Sequence, residues 1–195
     1  QPHDNGFTRR PTCSQLGRGL SDNQLYTGMS YDESTSVASW YSNYSLPSDV
    51  GYPSSLMPMD VIAIQTLYGA NTSTRASNTH YALRHDGSIE TFWDAGGIDT
   101  LDAQGSNFGW FVSLDFMSYG NHQIALSTPI DWRGETETGN FYFNAENIIG
   151  SQYSDILIGD NQNNVIEGAE GSDIVVGGIG QDRLNGSGGD DIIGG

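Results

Sequence analysis

Five residues with carboxylate or carboxamide side chains recur every nine positions in this 195-residue chain: Asp155, Asn164, Asp173, Asp182 and Asp191. Oxygen donors at a fixed interval suit one kind of chemistry, the surrounding of a hard cation such as Ca²⁺ by roughly six to eight oxygens. The interval belongs to a nonapeptide beginning at Gly150: GSQYSDILI, GDNQNNVIE, GAEGSDIVV, GGIGQDRLN and GSGGDDIIG. Its first position is always glycine, at Gly150, Gly159, Gly168, Gly177 and Gly186. Its eighth is always aliphatic, at Leu157, Ile166, Val175, Leu184 and Ile193. Six residues make a turn and three make a short strand whose middle residue points inward. Glycines let the turn carbonyls converge, and the sixth residue brings a side-chain oxygen to the same point.

Two nine-residue repeats complete one coil, so every second turn stacks. This pairs Asp155 with Asp173, Asp173 with Asp191, and, on the opposite side, Asn164 with Asp182. Turn oxygens would complete each site, from Ser151, Tyr153, Gly168, Ala169, Glu170, Gly171, Gly186 and Gly188 on one side. Asp160, Gln162, Gly177 and Ile179 serve on the other. Asn164 lacks a charge, which predicts a weaker site, and Tyr153 stands where glycine is expected. The pattern resembles the RTX nonapeptide, a calcium-binding β-helix repeat. Without metal, stacked carboxylates repel and a thin core cannot offset the entropy of ordering the chain. Folding and calcium binding are therefore expected to be one event.

Lys plus Arg number 7 against 24 Asp plus Glu, a formal net charge of -17. That balance argues against nucleic acid, whose phosphates need a basic patch, and against anionic membrane surfaces. The single cysteine, Cys13, permits no internal disulfide. This fits a reducing compartment, although metal sites can replace disulfide staples in an exported protein. No apolar run is long enough for a transmembrane helix, and the polar stretch Gln1 to Arg10 contains no signal peptide.

The elements that must position these groups fall into three zones: 1–70, 71–149 and 150–195. The first contains one predicted helix, Met57 to Tyr68, with Asp60 in its first turn, an apolar face of Val61, Ile62, Ile64 and Leu67, and Gly69 as its stop. The second has short β-rich runs at Ile89 to Trp93, Trp110 to Leu114 and Phe141 to Phe143, separated by turn clusters such as Asp94-Ala95-Gly96-Gly97. The expected fold is mainly β: a parallel β-roll, preceded by β-sandwich-like strands and a short region with one helix.

From about Tyr26 onward the chain resembles the C-terminal half of serralysins, secreted zinc metalloproteases of the metzincin clan (peptidase M10). Thr27-Gly28-Met29-Ser30-Tyr31 looks like their Met-turn, and Met59 to Asn71 like the last helix of the protease domain. Trp93 to Asp102 looks like their first calcium turn, and Glu146 to Gly150 like the lead into the nonapeptide array. The resemblance implies that 1–70 is the C-terminal part of a protease domain and that 150–195 is the calcium-binding roll. It also implies further calcium ligands at Arg75, Ser77 and Thr79, at Asp94, Gly96, Gly97 and Asp99, and at Asn144 and Glu146, with Ser77 where the family usually has glycine.

A metzincin needs the zinc motif H-E-x-x-H-x-x-G-x-x-H. The four histidines here, His3, His80, His85 and His122, include no i, i+4 pair. No residue is therefore assigned to catalysis, and zinc enters only if the missing helix is supplied elsewhere. Met29 and Tyr31 match residues that lie near the zinc in the family; core packing is their expected role here. Gln1-Pro2-His3-Asp4 looks like the stretch that follows the zinc helix, and the array stops in mid-pattern, so the sequence reads as a fragment.

Two functions follow. One is the calcium-binding C-terminal region of a serralysin-like protease, extracellular and exported by the type I route, partnered by calcium and by the N-terminal protease half or by itself. The other is a non-enzymatic extracellular RTX protein of surface-layer, filament or ice-binding type.

Overall fold

A computed structural model describes residues 52–195 apart from 87, 120–121 and 131–138. Met29, Tyr31, Cys13 and His3 lie outside the described residues.

Three-residue strands follow from the nonapeptide. After the helix α1 (Pro58–Tyr68) and the short strand β1 (Tyr52–Pro53), the chain forms β2 (His80–Ala82), β3 (Ser88–Ile89), β4 (Thr91–Phe92) and β5 (Thr100–Asp102). Next come two long strands, β6 (Trp110–Tyr119) and β7 (His122–Pro129), then β8 (Asn140–Phe143) and β9 (Asn147–Ile149). The nonapeptides supply β10 (Ile156–Ile158), β11 (Val165–Glu167), β12 (Ile174–Val176), β13 (Arg183–Asn185) and β14 (Ile192–Gly194).

Among the described residues these strands form two large sheets and a parallel pair, β1 with β3. One large sheet runs β14-β12-β10-β6-β7-β8-β4 and the other β13-β11-β9-β5-β2. Alternate nonapeptides enter opposite sheets, and each residue pairs in parallel with the one a full coil later, as Ile156 does with Ile174 and Ile174 with Ile192. The sheets run unbroken across position 150: β9 pairs with both β5 and β11, and β10 with both β6 and β12. The sandwich-like strands expected before the array are therefore layers of the same roll. The departure from parallel order is the meander β6-β7-β8, whose two pairings are antiparallel.

The core is two inward-facing ladders. Tyr81, Leu101, Ile148, Ile166 and Leu184 stack on one sheet. Val112, Leu157 and Val175 stack on the other, and Ile193 extends this ladder in the last strand but is 50% exposed, since no further coil covers it among the described residues. Leu101, Ile148, Val112, Leu157, Ile166 and Val175 are fully buried. Each nonapeptide thus contributes one aliphatic side chain, worth about 1.5–3 kcal/mol when fully buried. Ordering each backbone residue costs about 1–2 kcal/mol, so the turns need a further source of stability.

The helix behaves as its ends predict. Asp60 accepts the Met57 N–H through Oδ2 at 3.1 Å, and Gly69 stops it at φ +87°. Its buried face is narrower than the expected Val61-Ile62-Ile64-Leu67 stripe. Ile62 is buried with Met57 against Ile89, Phe141 and Phe143, and Val61 packs at the margin, whereas Ile64 and Leu67 are exposed.

Candidate metal centres

The first candidate centre lies where the β4–β5 connection meets the turn before β9. Asp94 and Asp99 are fully buried there. Asp94 accepts the Tyr81 hydroxyl through Oδ2 at 2.7 Å and the Gly96 N–H through Oδ1 at 3.0 Å. Asp99 accepts the Thr79 N–H through Oδ1 at 2.7 Å, and its own N–H donates to Glu146 Oε2 at 2.7 Å. Asp99 Oδ2 is buried with no hydrogen-bond partner. Asn144 Nδ2 donates to the Asp94 carbonyl at 2.8 Å, which ties the two turns together.

The backbone here is held in unusual conformations. Arg75 and Asn144 have φ of +51° and +57°, in a region that costs non-glycine residues energy and that clusters at ligand sites. At Gly97 a Cβ would fall 2.8 Å from Asn78 N and 2.9 Å from Asp99 Oδ1. The Arg75 guanidinium does not neutralise the carboxylates. It donates to the Trp93 carbonyl at 3.1 Å and lies over the rings of Tyr81 and Phe92. Burial pushes Glu146 up to about 7, and burial also raises Asp99, with the Asp94 charge adding to it. Thr79 Oγ1 donates to the Ser77 carbonyl at 3.0 Å, which ties Ser77 to Thr79 in the segment leading into β2.

The second set of candidate centres is the array of roll turns. Asp173 Oδ1 accepts the Asp155 N–H at 2.9 Å, Asp182 Oδ1 the Asn164 N–H at 2.9 Å, and Asp191 Oδ1 the Asp173 N–H at 3.0 Å. All three pairs expected from the repeat period are thus brought together. Asp173 Oδ2 is buried without a partner, as Asp99 Oδ2 is. The glycines at position one form the cradle. At Gly150 a Cβ would lie 2.2 Å from the Gly168 carbonyl oxygen and 2.6 Å from Asp155 Oδ2. Gly159, Gly168, Gly177 and Gly186 are equally closed, each against the side-chain oxygen of its own sixth-position residue.

The turn residues interlock from coil to coil. Glu170 N–H donates to the Ser151 carbonyl at 3.3 Å, Ile179 N–H to the Asp160 carbonyl at 2.9 Å, and Gly188 N–H to the Ala169 carbonyl at 2.7 Å. Ala169 holds φ +75° and Gly171 +116°, and a Cβ on Gly171 would meet the Tyr153 carbonyl at 2.7 Å. The Gln162 N–H donates to Asp160 Oδ1 at 2.7 Å, while the residue itself is exposed.

Burial raises Asp155 to about 6 and lifts Asp173 as well, with the neighbouring aspartate charge contributing in each case. Among the described residues no arginine forms an ion pair with Asp94, Asp99, Glu146, Asp155 or Asp173; the ion pair present joins His80 to Asp102. Nor do three His, Cys, Asp or Glu side chains converge on one point among the described residues. A cation here would be held by paired carboxylates supplemented by backbone carbonyls, a donor set suited to calcium. The buried partnerless oxygens, the glycine cradles and the absence of a counter-charge all fit such an ion.

Two supports were not foreseen. The Trp110 N–H donates to Asp155 Oδ1 at 2.6 Å, so β6 braces the first turn of the array. Position five of the nonapeptide also forms ladders, with Ser154 Oγ accepting the Ser172 N–H at 3.1 Å and Asn163 Oδ1 the Gln181 N–H at 2.8 Å. The polar residues at that position in every repeat were the available signal.

Comparison with known proteins agrees with this geometry. Residues 144–175 and 167–195 match the RTX calcium-binding nonapeptide repeat (4 copies). The chain is 32% identical over 177 residues to metallopeptidase AprA of Pseudomonas marginalis, covering 80% of this chain and 33% of that protein. It is 31% identical over 198 residues to serralysin G of Dickeya chrysanthemi, covering 86% and 39% respectively. Against serralysin of Photorhabdus luminescens it is 30% identical, covering 80% and 32%. The chain thus spans 32–39% of the length of these curated relatives.

Proposed function

We infer, from a chain that carries RTX calcium-binding nonapeptide repeats and is related to serralysins over four fifths of its length, that it is the calcium-dependent folding and stabilising region of a secreted metalloprotease. The observation that carries the reading is the partnerless buried oxygen of Asp173, at the centre of a stacked carboxylate ladder that no arginine neutralises among the described residues.

Calcium, when bound, supplies the positive charge that allows these carboxylates to be buried side by side. Asp155, Asp173 and Asp191 would hold it on one side of the roll and Asp182 on the other, with turn carbonyls completing each shell. Asp94, Asp99 and Glu146 would do so at the first turn, aided by carbonyls of the strained residues Arg75 and Asn144. Intracellular calcium is too scarce to offset the carboxylate repulsion, so the chain would stay extended for type I export and fold outside the cell. Residues 1–70 would belong to a protease domain, with Met29 and Tyr31 as core-packing residues; the zinc-ligand motif of that domain is not in this sequence. The breadth of the similarity to metallopeptidases favours this reading over a surface-layer, filament or ice-binding role.

The test is metal analysis with limited proteolysis. At millimolar calcium the full chain is expected to retain several calcium ions and no zinc, and to resist proteases that degrade it in EGTA. Absence of bound calcium, or equal protease resistance in EGTA, would overturn the reading.

A further inference from the structure

Asn164 differs from the other sixth-position residues in orientation as well as charge. Asp173, Asp182 and Asp191 each turn an accepting oxygen toward the preceding coil, where it receives an N–H. Asn164 turns a donor that way. Its Nδ2 donates to the Glu146 carbonyl at 2.9 Å and to Asp160 Oδ1 at 3.0 Å, while its Oδ1 accepts the Asp160 N–H at 2.9 Å. The side chain is 1% exposed.

A carboxamide nitrogen has two hydrogens and no acceptor capacity, and both hydrogens are used. The oxygens they reach, one carbonyl and one carboxylate, are the kind a calcium ion would otherwise gather between these turns. Asp160 is itself 5% exposed, and its Oδ1 also takes the Gln162 N–H. A cation entering here would have to displace two hydrogen bonds and sit against the positive end of the amide dipole.

We propose that the Asn164 carboxamide replaces a calcium ion at the step between the 144–147 turn and the 160–164 turn, closing that step with the chain's own hydrogen bonds. On this side of the roll the calcium ladder then begins one coil later, at Asp182. The proposal rests on the calcium-binding reading of the array and assigns the step from Glu146 to Asn164 as calcium-free, leaving the weaker site expected from the missing charge to the Asn164–Asp182 step of the next coil.

Equilibrium dialysis of the full chain against buffered free calcium tests it, comparing wild type with Asn164→Asp and Asn164→Ala and using circular dichroism to monitor the fold. N164D is expected to bind one more calcium ion per chain than wild type. N164A should match the wild-type count and melt at a lower temperature in saturating calcium. An unchanged count for N164D, or a count lower by one for N164A, would overturn the proposal. A wild type that binds no calcium would overturn the parent reading instead.

Discussion

Asp173 accepts the backbone N–H of Asp155, one full coil below it, through Oδ1 at 2.9 Å, and leaves Oδ2 buried with no partner. One carboxylate thus does two things. It joins successive coils by a hydrogen bond, and it presents a desolvated charge that a cation must satisfy.

Replacing that charge separates the two roles. Asp173→Asn is expected to lower the calcium count by at least one and to destabilise the calcium-loaded chain by about 1.5–3 kcal/mol, the range for hydrogen bonds to charged groups. Asp190→Asn, next to Asp191 but on the exposed side of the turn, should change neither. Calcium counting and denaturant unfolding of the two variants measure the difference.

Glycine at position one is required by closeness rather than by flexibility. At Gly150 a Cβ would overlap the Gly168 carbonyl oxygen at 2.2 Å, whereas at Gly105 it would meet nothing within 4 Å. Gly150→Ala should therefore cost about 1–3 kcal/mol, as overpacking does. Gly105→Ala should stay within about 0.5 kcal/mol of wild type, as surface substitutions do. Thermal unfolding in calcium compares them directly.

The acid response has a definite sign. Burial raises Glu146 to about 7 and Asp155 to about 6 in the calcium-free fold. A raised carboxylate pKa means that the fold holds its protons more tightly than the unfolded chain. That contribution is complete below the ordinary carboxylate range and is lost as pH rises through about 6 to about 7. Protons and calcium compete for the same oxygens, so the calcium concentration at which half of the chain folds should fall between pH 5 and pH 8, as Glu146 and Asp155 lose their protons. A folding midpoint in calcium that is flat or rising over that interval would contradict the burial of these groups.

The periodic part of the fold was legible because every constraint repeats. One aliphatic at position eight, one glycine at position one and one oxygen at position six specify strand, cradle and pairing together. The stacking of Asp155 on Asp173 and of Asn164 on Asp182 follows from the period alone. The turn from Asp94 to Asp99 was picked out by the resemblance of Trp93 to Asp102 to a family calcium turn rather than by any repeat. The strands before the array were less so, because nothing in the run from Trp110 to Leu114 signals a strand continuing to Tyr119 or an antiparallel partner. The orientation of Asn164 could not be read either. It depends on which neighbouring groups donate and which accept, and that is decided by Glu146 and Asp160 in the folded roll.

Far-UV circular dichroism of the purified chain, titrated with calcium and then with EGTA, tests coupled folding and binding most directly. A transition from coil to β-structure that EGTA reverses, with several calcium ions bound at its end point, is the predicted result. A chain that keeps the same β-structure in EGTA as in calcium would contradict it.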